Sequence, residues 1–181
     1  MTFVHAGPEK NIRSVVGPDK AKELKRSLLE ELLKKSREEL VDLSRAALEQ
    51  KNFATDQEFK AESKYDTRAL EASYLASAEA KRVEELKLEI QILEEVDLNL
   101  SARLQEISIG ALVELSYGGR QMLYFLIPTA GGTLLKIHDD AVVVVSVFSP
   151  IGDAMLGLKK SHHFEVETPK ETRAYEILNF Y

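Results

Sequence analysis

Small and apolar residues recur at alternating spacings of three and four along the first half of the chain. The first series is Leu29, Leu33, Ser36, Leu40, Leu43 and Ala47. The second series is Val83, Leu86, Ile90, Leu93, Asp97, Leu100, Leu104 and Ile107. This spacing places one seam on each of two helices, as in a coiled coil. Asp97 interrupts the second seam, either as a solvated defect or as a polar residue that fixes the register.

Two seams joined by a short connector bury each other most simply in an antiparallel helical hairpin. Pro18 favours the start of the first helix, because its fixed φ suits the first turn and its missing N–H is not needed there. No glycine or proline follows until Gly110. We therefore predict a hairpin over residues 18–108 with its tip near residues 53–62. At 1.5 Å per residue, an arm of about thirty residues spans about 45 Å.

The apolar period shortens toward two after Ile109, which predicts a second domain over residues 109–181. Gly118-Gly119 separates two apolar runs and predicts a β-hairpin. The expected strands are "ALVELSY", "QMLYFLIP", "GTLLKI", "AVVVVSVFS", "HFEVETP" and "TRAYEILNFY". "PIGDAMLGL" begins with proline and suits a short helix. One short helix on an antiparallel sheet gives an α+β domain.

The composition of the chain argues against several classes of function and binding site. The net charge of −6 argues against broad attraction to phosphate backbones, and the absence of cysteine excludes disulfides and thiolate zinc sites. The N-terminus lacks a signal-peptide run, and no apolar run is long enough to cross a bilayer, so we expect a soluble cytoplasmic protein. His162 and His163 are adjacent, so on a strand they point to opposite faces and do not favour one metal ion. Asp139-Asp140 suits a turn between strands.

The stretch "ATDQEFKAESKYDTR", residues 54–68, concentrates charge at the predicted bend. On a helix, Glu58, Glu62 and Asp66 share one face at spacings of four. Lys60, Lys64 and Arg68 form a second stripe at the same spacing. Like charges at this spacing cost about 0.2–0.5 kcal/mol per pair. The stretch is either a solvated charged surface or a group of carboxylates presented at the end of a rigid arm.

The C-terminal third resembles the end of the bacterial Gre transcript-cleavage factors. The motifs are Ser149-Pro150-Ile151, Leu156-Gly157-Leu158-Lys159 and Tyr175-Glu176-Ile177. A coiled-coil hairpin followed by this domain is also the order found in that family. The resemblance covers residues from about Lys20 to Tyr181. It leaves residues 1–17 as an N-terminal tail without a counterpart.

The resemblance implies a fold and a function together. In the Gre family, an FKBP-like C-terminal domain binds bacterial RNA polymerase, and the hairpin enters the secondary channel. Acidic tip residues then help hold a second Mg²⁺ at the polymerase's own active site, which hydrolyses the backtracked transcript. The resemblance therefore implies an accessory factor that is not itself an enzyme and has no cofactor of its own. It also implies a cytoplasmic monomer, away from membranes, with indirect contact to the nascent RNA.

The family motif assigns roles to individual residues. Matching on Tyr65-Asp66 places Glu58 at the family's aspartate and Ala61 at its glutamate, with Glu62 one position later and Lys64 in place of an acid. The expected tip residues are Glu58 and Glu62 as the acids that act at the polymerase site, Asp56 as a reserve Mg²⁺ ligand, and Tyr65, Asp66 and Arg68 for tip positioning. The expected polymerase-docking residues are Phe148, Ser149, Pro150 and Ile151.

Three alternatives to transcript cleavage stay open. A secondary-channel regulator would bind polymerase without stimulating cleavage, which fits the altered tip. A prolyl isomerase would follow from an FKBP-like domain, but it needs a deep aromatic pocket, and the chain has no tryptophan. A structural or chaperone-like hairpin would explain the seams without explaining the C-terminal motifs.

Overall fold

The computed structural model describes residues 16–55 and 68–181, except residues 130 and 138. The described chain forms two compact units. One contains the residues up to Leu28 together with Val96–Tyr181, and the other contains Leu29–Glu95. This division differs from the predicted boundary at residues 108 and 109, because the first turns of the first helix and residues 96–108 group with the sheet. Residues 1–15 of the predicted N-terminal tail lie outside the described residues.

Two long helices form the unit of Leu29–Glu95. They belong to α1, Pro18–Thr55, and α2, Arg68–Glu94. Arg37 pairs with Glu94 at 2.7 Å, whereas Glu39 pairs with Arg82 at 3.0 Å. The partner number falls as the α1 number rises, so the helices run antiparallel, as predicted. Residues 56–67 lie outside the described residues, so the position of the tip stays a prediction.

Burial along this helix pair follows the predicted seams with one shift. Leu86, Ile90 and Leu93 of α2 are buried, as expected. On α1, Leu32 and Ser36 are buried, while Leu29 and Leu33 are only partly covered. A helix packs through a stripe wider than a strict heptad seam, so the residue next to the predicted position can become the buried one.

The predicted continuation of the second helix to residue 108 is wrong. α2 ends at Glu94, a turn follows, and a short α3 spans Leu100–Leu104. The Asp97 carboxylate accepts the backbone N–H of Asn99 at 2.9 Å, a local bond that competes with helix formation. Gly110 closes against this turn with φ of +84°, and a Cβ there would stand 2.7 Å from the Asp97 carbonyl oxygen. Asp97 is therefore a turn residue and not a position in the seam.

A six-stranded sheet forms the core of the other unit, in the order β3-β4-β2-β1-β6-β5. The strands are β1 Leu112–Tyr117, β2 Arg120–Ile127, β3 Leu134–Ile137, β4 Asp140–Ser146, β5 His163–Glu167 and β6 Thr172–Phe180. The short helix α4, Pro150–Met155, follows β4. Each predicted strand and the predicted short helix is confirmed. Gly118 and Gly119 turn the β1–β2 hairpin with φ of +56° and +76°.

The predicted antiparallel sheet is wrong at one strand pair. β2 and β4 pair in parallel, with Leu123 beside Val142 and Ile127 beside Ser146. The six residues between β2 and β3 are too many for a tight hairpin, so β3 runs back at the edge of the sheet and β4 inserts between β3 and β2. The sheet is therefore mixed, and the domain remains α+β.

One face of this sheet packs on α4. The buried residues there include Val113 and Leu115 of β1, Leu126 of β2 and Ile177 of β6, with Met155 from α4. Glycine at position 152 permits this approach, because a Cβ there would stand 2.0 Å from the Ser146 carbonyl oxygen. No helix in the described part of the chain is long and apolar enough to span a membrane.

Candidate docking site

The loop between β4 and α4 is fixed by hydrogen bonds of Ser149. Its hydroxyl donates to the Ser146 carbonyl oxygen at 2.7 Å and accepts the Gly152 N–H at 3.1 Å, so it caps the N-terminus of α4. Pro150 occupies the first helical turn, where its fixed φ is compatible with the helix. The sequence Ser-Pro therefore fixes both the end of the strand and the start of the helix.

Phe148 projects from this fixed loop into solvent. Phe148 is 85% exposed, the highest value for a large hydrophobic residue in the described part of the chain. Its backbone N–H donates to the Ser146 hydroxyl at 3.3 Å, which adds to the restraint on the loop. Because aromatic residues, phenylalanine included, are enriched in the cores of protein interfaces, Phe148 is a candidate contact residue.

A groove of about 700 Å³, which we name the docking groove, begins beside this loop. Its lining includes Ser149, Pro150 and Ile151, together with Tyr124, Tyr175 and residues of the turn between β5 and β6. The lining is mainly apolar, and its volume lies within the usual range of binding pockets. The groove can therefore receive an apolar side chain or a short peptide segment.

Aromatic side chains cover the sheet beyond the groove. The ring of Tyr175 lies 5.2 Å from that of Phe164 and 5.2 Å from that of Tyr117, measured between centroids. The Arg173 guanidinium lies 5.4 Å from the centre of the Tyr117 ring. These contacts hold three rings and one guanidinium in a single layer on the sheet.

The Glu171 carboxylate ties this layer together. It accepts the Tyr117 hydroxyl at 2.9 Å and the Arg173 Nε–H at 2.8 Å. The two donors, Arg173 first and Tyr117 second, lower the pKa of Glu171. The same hydrogen bond raises the pKa of Tyr117, while burial raises the pKa of Tyr124. Tyr117 and Tyr124 therefore remain protonated at neutral pH, and Glu171 remains ionised.

The structure brings together the four predicted docking residues and leaves the tip undescribed. Ser149, Pro150 and Ile151 line the docking groove, and Phe148 precedes them in the same loop. The tip residues Asp56, Glu58, Glu62, Tyr65 and Asp66 lie outside the described residues, and Arg68 is the first residue of α2. Among the described residues, no cluster of three or more His, Asp or Glu side chains could hold a metal ion.

The sequence patterns did not indicate that Tyr117, Tyr124 and Arg173 contribute to this surface. Arg173 and Tyr175 are two residues apart on one strand and therefore share a face of the sheet. That alternation was visible, but the pairing of β6 with β1 that brings Tyr117 opposite Tyr175 was not. In the adjacent pair His162 and His163, the Nδ1 atom of His162 accepts the Lys159 N–H at 3.3 Å and stabilises a turn.

Comparison with known proteins identifies the domain that carries this surface. Residues 102–181 match the model of the transcription elongation factor GreA/GreB C-terminal domain. The match shows that this part of the chain is similar to the C-terminal domain of the GreA/GreB factors. The α4 start, the docking groove and the aromatic layer all lie within the matched GreA/GreB domain.

Several solved structures are also similar to the chain. The GreA factor homolog 1 (Gfh1) of Thermus thermophilus is 21% identical, with 86% of this chain and 93% of that chain covered and a TM-score of 0.35. Gfh1 of Thermus aquaticus is 19% identical, with coverages of 88% and 95% and a TM-score of 0.36. GreA/GreB of Nitrosomonas europaea is 17% identical, with coverages of 54% and 91% and a TM-score of 0.32. A search of curated proteins gave no match.

Proposed function

We propose that this protein is a Gre-type elongation factor that binds bacterial RNA polymerase, inserts its helical hairpin into the secondary channel and stimulates cleavage of backtracked transcripts. The observation that carries the proposal is the GreA/GreB domain at residues 102–181, joined in one chain to a pair of long antiparallel helices. The polymerase performs the hydrolysis, and this chain supplies binding and positioning groups.

The docking groove is the polymerase-binding site in this proposal. Phe148 is the exposed anchor, and Pro150 and Ile151 present an apolar rim that is already ordered before binding. Burying a large apolar side chain contributes about 1.5–3 kcal/mol. Because Ser149 fixes the loop in advance, little conformational entropy is lost on association.

The tip of the hairpin is the part that acts at the polymerase active site in this proposal. Glu58 and Glu62, with Asp56 in reserve, would supply carboxylate oxygens to Mg²⁺ at the polymerase active site, and oxygen ligands are those that this ion prefers. Bound there, Mg²⁺ would favour attack of water on the transcript phosphate. Tyr65, Asp66 and Arg68 position the acids. The tip residues also bring the hairpin near the nascent RNA without a dedicated RNA-binding surface.

A second candidate is a secondary-channel regulator that occupies the channel without stimulating cleavage. Ala61 and Lys64 favour it, because they stand where the family motif carries acids. Both candidates require the same docking and the same hairpin, and they differ only in what the tip does.

One pair of assays tests the proposal. Affinity for purified core polymerase is measured for wild type, Phe148→Asp and Leu134→Asp, and transcript cleavage is measured on a backtracked complex. Leu134 is a matched control, because it is also an exposed apolar residue but lies on β3, away in sequence from the β4–α4 loop, and does not line the groove. We expect binding by wild type and Leu134→Asp, at least tenfold weaker binding by Phe148→Asp, and cleavage stimulated by wild type.

Each other outcome has a defined meaning. Polymerase binding without stimulated cleavage selects the regulator. Absence of polymerase binding by the wild-type protein contradicts both candidates. Equal binding by Phe148→Asp and Leu134→Asp places the docking site elsewhere.

A further inference from the structure

A second pocket lies on the sheet beside the β1–β2 turn. It has a volume of about 630 Å³, and we name it the hairpin pocket. Tyr117, Arg120, Met122 and Arg173 are among its lining residues. Met122 is 44% exposed, so its apolar side chain is available to a partner. The family motifs quoted from the sequence do not include Tyr117, Arg120 or Met122.

Arg120 is a charged residue of this pocket whose side chain is available to a ligand. It begins β2 directly opposite Tyr117 and is exposed. Within the described ranges, its guanidinium makes neither a hydrogen bond nor an ion pair. Arg173, by contrast, already donates to Glu171. The pocket therefore holds two guanidinium groups and one carboxylate, with one positive charge left uncompensated.

This charge balance favours a single carboxylate as the ligand group. A guanidinium binds a carboxylate through two parallel N–H bonds. A polyphosphate is less suitable, because Glu171 repels it and only one guanidinium is uncommitted. The surrounding Tyr, Met and Arg side chains are the types enriched at the cores of protein interfaces. The lining of the pocket has a net positive charge, although the whole chain carries a net charge of −6.

The hairpin pocket adjoins the docking groove. Tyr124, Arg173 and Tyr175 line both. One partner segment can therefore cross the aromatic layer, with an apolar side chain near Pro150 and another side chain near Arg120. The hydrogen bonds of Glu171 keep Tyr117 and Arg173 in place between the two pockets.

We propose that the hairpin pocket receives an acidic side chain, flanked by an apolar one, from the same polymerase segment that occupies the docking groove. Arg120 pairs with the carboxylate, and Met122 and Tyr117 cover the apolar neighbour. This inference rests on the proposed function and adds to it the chemical character of the partner segment and a residue that determines specificity.

Charge reversal with a matched control tests the pairing. Affinity for core polymerase is measured for wild type, Arg120→Glu and Lys136→Glu at low and high salt. Lys136 is also an exposed cation on a strand, and it lines neither pocket, so its reversal makes the same change in net charge. We expect Arg120→Glu to weaken binding about tenfold or more. The loss should shrink at high salt, because screening reduces the interaction of exposed charges. Lys136→Glu should stay within about twofold of wild type.

A photo-cross-linking amino acid at Met122 then identifies the partner. The same group at Leu134 is the control, because that exposed residue lies outside both pockets. We expect Met122 to cross-link to a polymerase peptide that carries Asp or Glu within a few residues of the linked position, and Leu134 to give no such product. A linked peptide without an acid contradicts the inference. So does cross-linking of Met122 to added single-stranded RNA in place of polymerase, which would assign the pocket to RNA.

The two proposals fail in different ways. If Phe148→Asp abolishes binding while Arg120→Glu behaves like Lys136→Glu, the docking groove stands and the hairpin pocket is contradicted. If Arg120→Glu weakens binding while Phe148→Asp does not, the docking role of the β4–α4 loop is contradicted and the acidic partner stands. If the wild-type protein does not bind polymerase, both are contradicted.

Discussion

Glu114 shows how a single buried carboxyl group affects this domain at the scale of a residue. It lies on β1, only 7% exposed, and its Oε2 atom has no hydrogen-bond partner among the described residues. Burial raises the pKa of Glu114, and Lys160 opposes the shift. Because the folded-state pKa of Glu114 is raised, the contribution of this group to stability is complete below its unfolded-state pKa of 4.5. That contribution is lost as pH rises through the folded-state pKa.

Replacing this group should therefore stabilise the domain at neutral pH. Glu114→Gln keeps the shape and removes the charge that forms above the folded pKa. We expect the free energy of unfolding of Glu114→Gln, relative to wild type, to increase between pH 4 and pH 7. Urea unfolding at several pH values measures this difference. The exposed Glu165→Gln is the control, and an equal pH dependence for both variants would contradict the explanation.

Lys25 is a second buried charge, with the opposite sign of pKa shift. Its ammonium donates to the Leu98 carbonyl oxygen, and burial lowers the pKa of Lys25, although Asp97 opposes the shift. Between the lowered folded pKa and 10.5, the unfolded chain binds more protons than the folded chain, so stability rises with pH. We expect the stability of wild type relative to Lys25→Met to rise from neutral pH toward pH 10. Relative stabilities that do not change with pH would contradict this expectation.

At the scale of the element, the start of α4 depends on the absence of a side chain at position 152. A Cβ there would stand 2.0 Å from the backbone oxygen of Ser146, and a backbone atom cannot move away as a flexible side chain can. We expect Gly152→Ala to cost about 1–3 kcal/mol of unfolding free energy or more. Gly17→Ala is a matched control, because a Cβ there meets nothing within 4 Å. Equal melting temperatures for the two variants would contradict the close packing.

Some helices, strands and pairings could be predicted from the sequence, and others could not. The strands and the β1–β2 turn were predictable, because alternation and a Gly-Gly pair are local signals. The end of α2 was not, because Asp97 stops the helix through a hydrogen bond to Asn99 with no glycine or proline nearby. The parallel pairing of β2 with β4 was also hidden, because strand order depends on contacts between residues distant in sequence. Phe148 to Ile151 form one short motif, so the sequence alone could propose them as docking residues, whereas including Tyr117 required the pairing of β1 with β6.

At the scale of the whole molecule, the two compact units carry separate tasks in the proposed function. One contains the docking groove and the hairpin pocket, and the other contains the paired helices that lead to the tip. Changes at the tip should therefore alter activity without altering affinity for polymerase. We expect Glu58→Ala and Glu62→Ala to abolish stimulated cleavage and to bind core polymerase like wild type. Glu38→Ala, an exposed acid on α1, should retain both properties. Full cleavage by both tip variants would contradict their role as Mg²⁺ ligands.

The sequence of the tip also predicts a gain of function. In the match to the Gre motif, Ala61 stands where that motif carries its glutamate, and Glu62 lies one position later, so position 61 is where a further carboxylate would be expected to reach the metal. Ala61→Glu should restore a carboxylate at that position and increase the rate of stimulated cleavage about tenfold or more, with a lower requirement for Mg²⁺. Ala61→Gln has nearly the same size without the charge and should leave the rate unchanged. The measurement is single-turnover cleavage of a backtracked transcript across a range of Mg²⁺ concentrations. If Glu and Gln at position 61 behave alike, the added carboxylate does not reach the metal, and the alignment of the tip with the Gre motif is wrong.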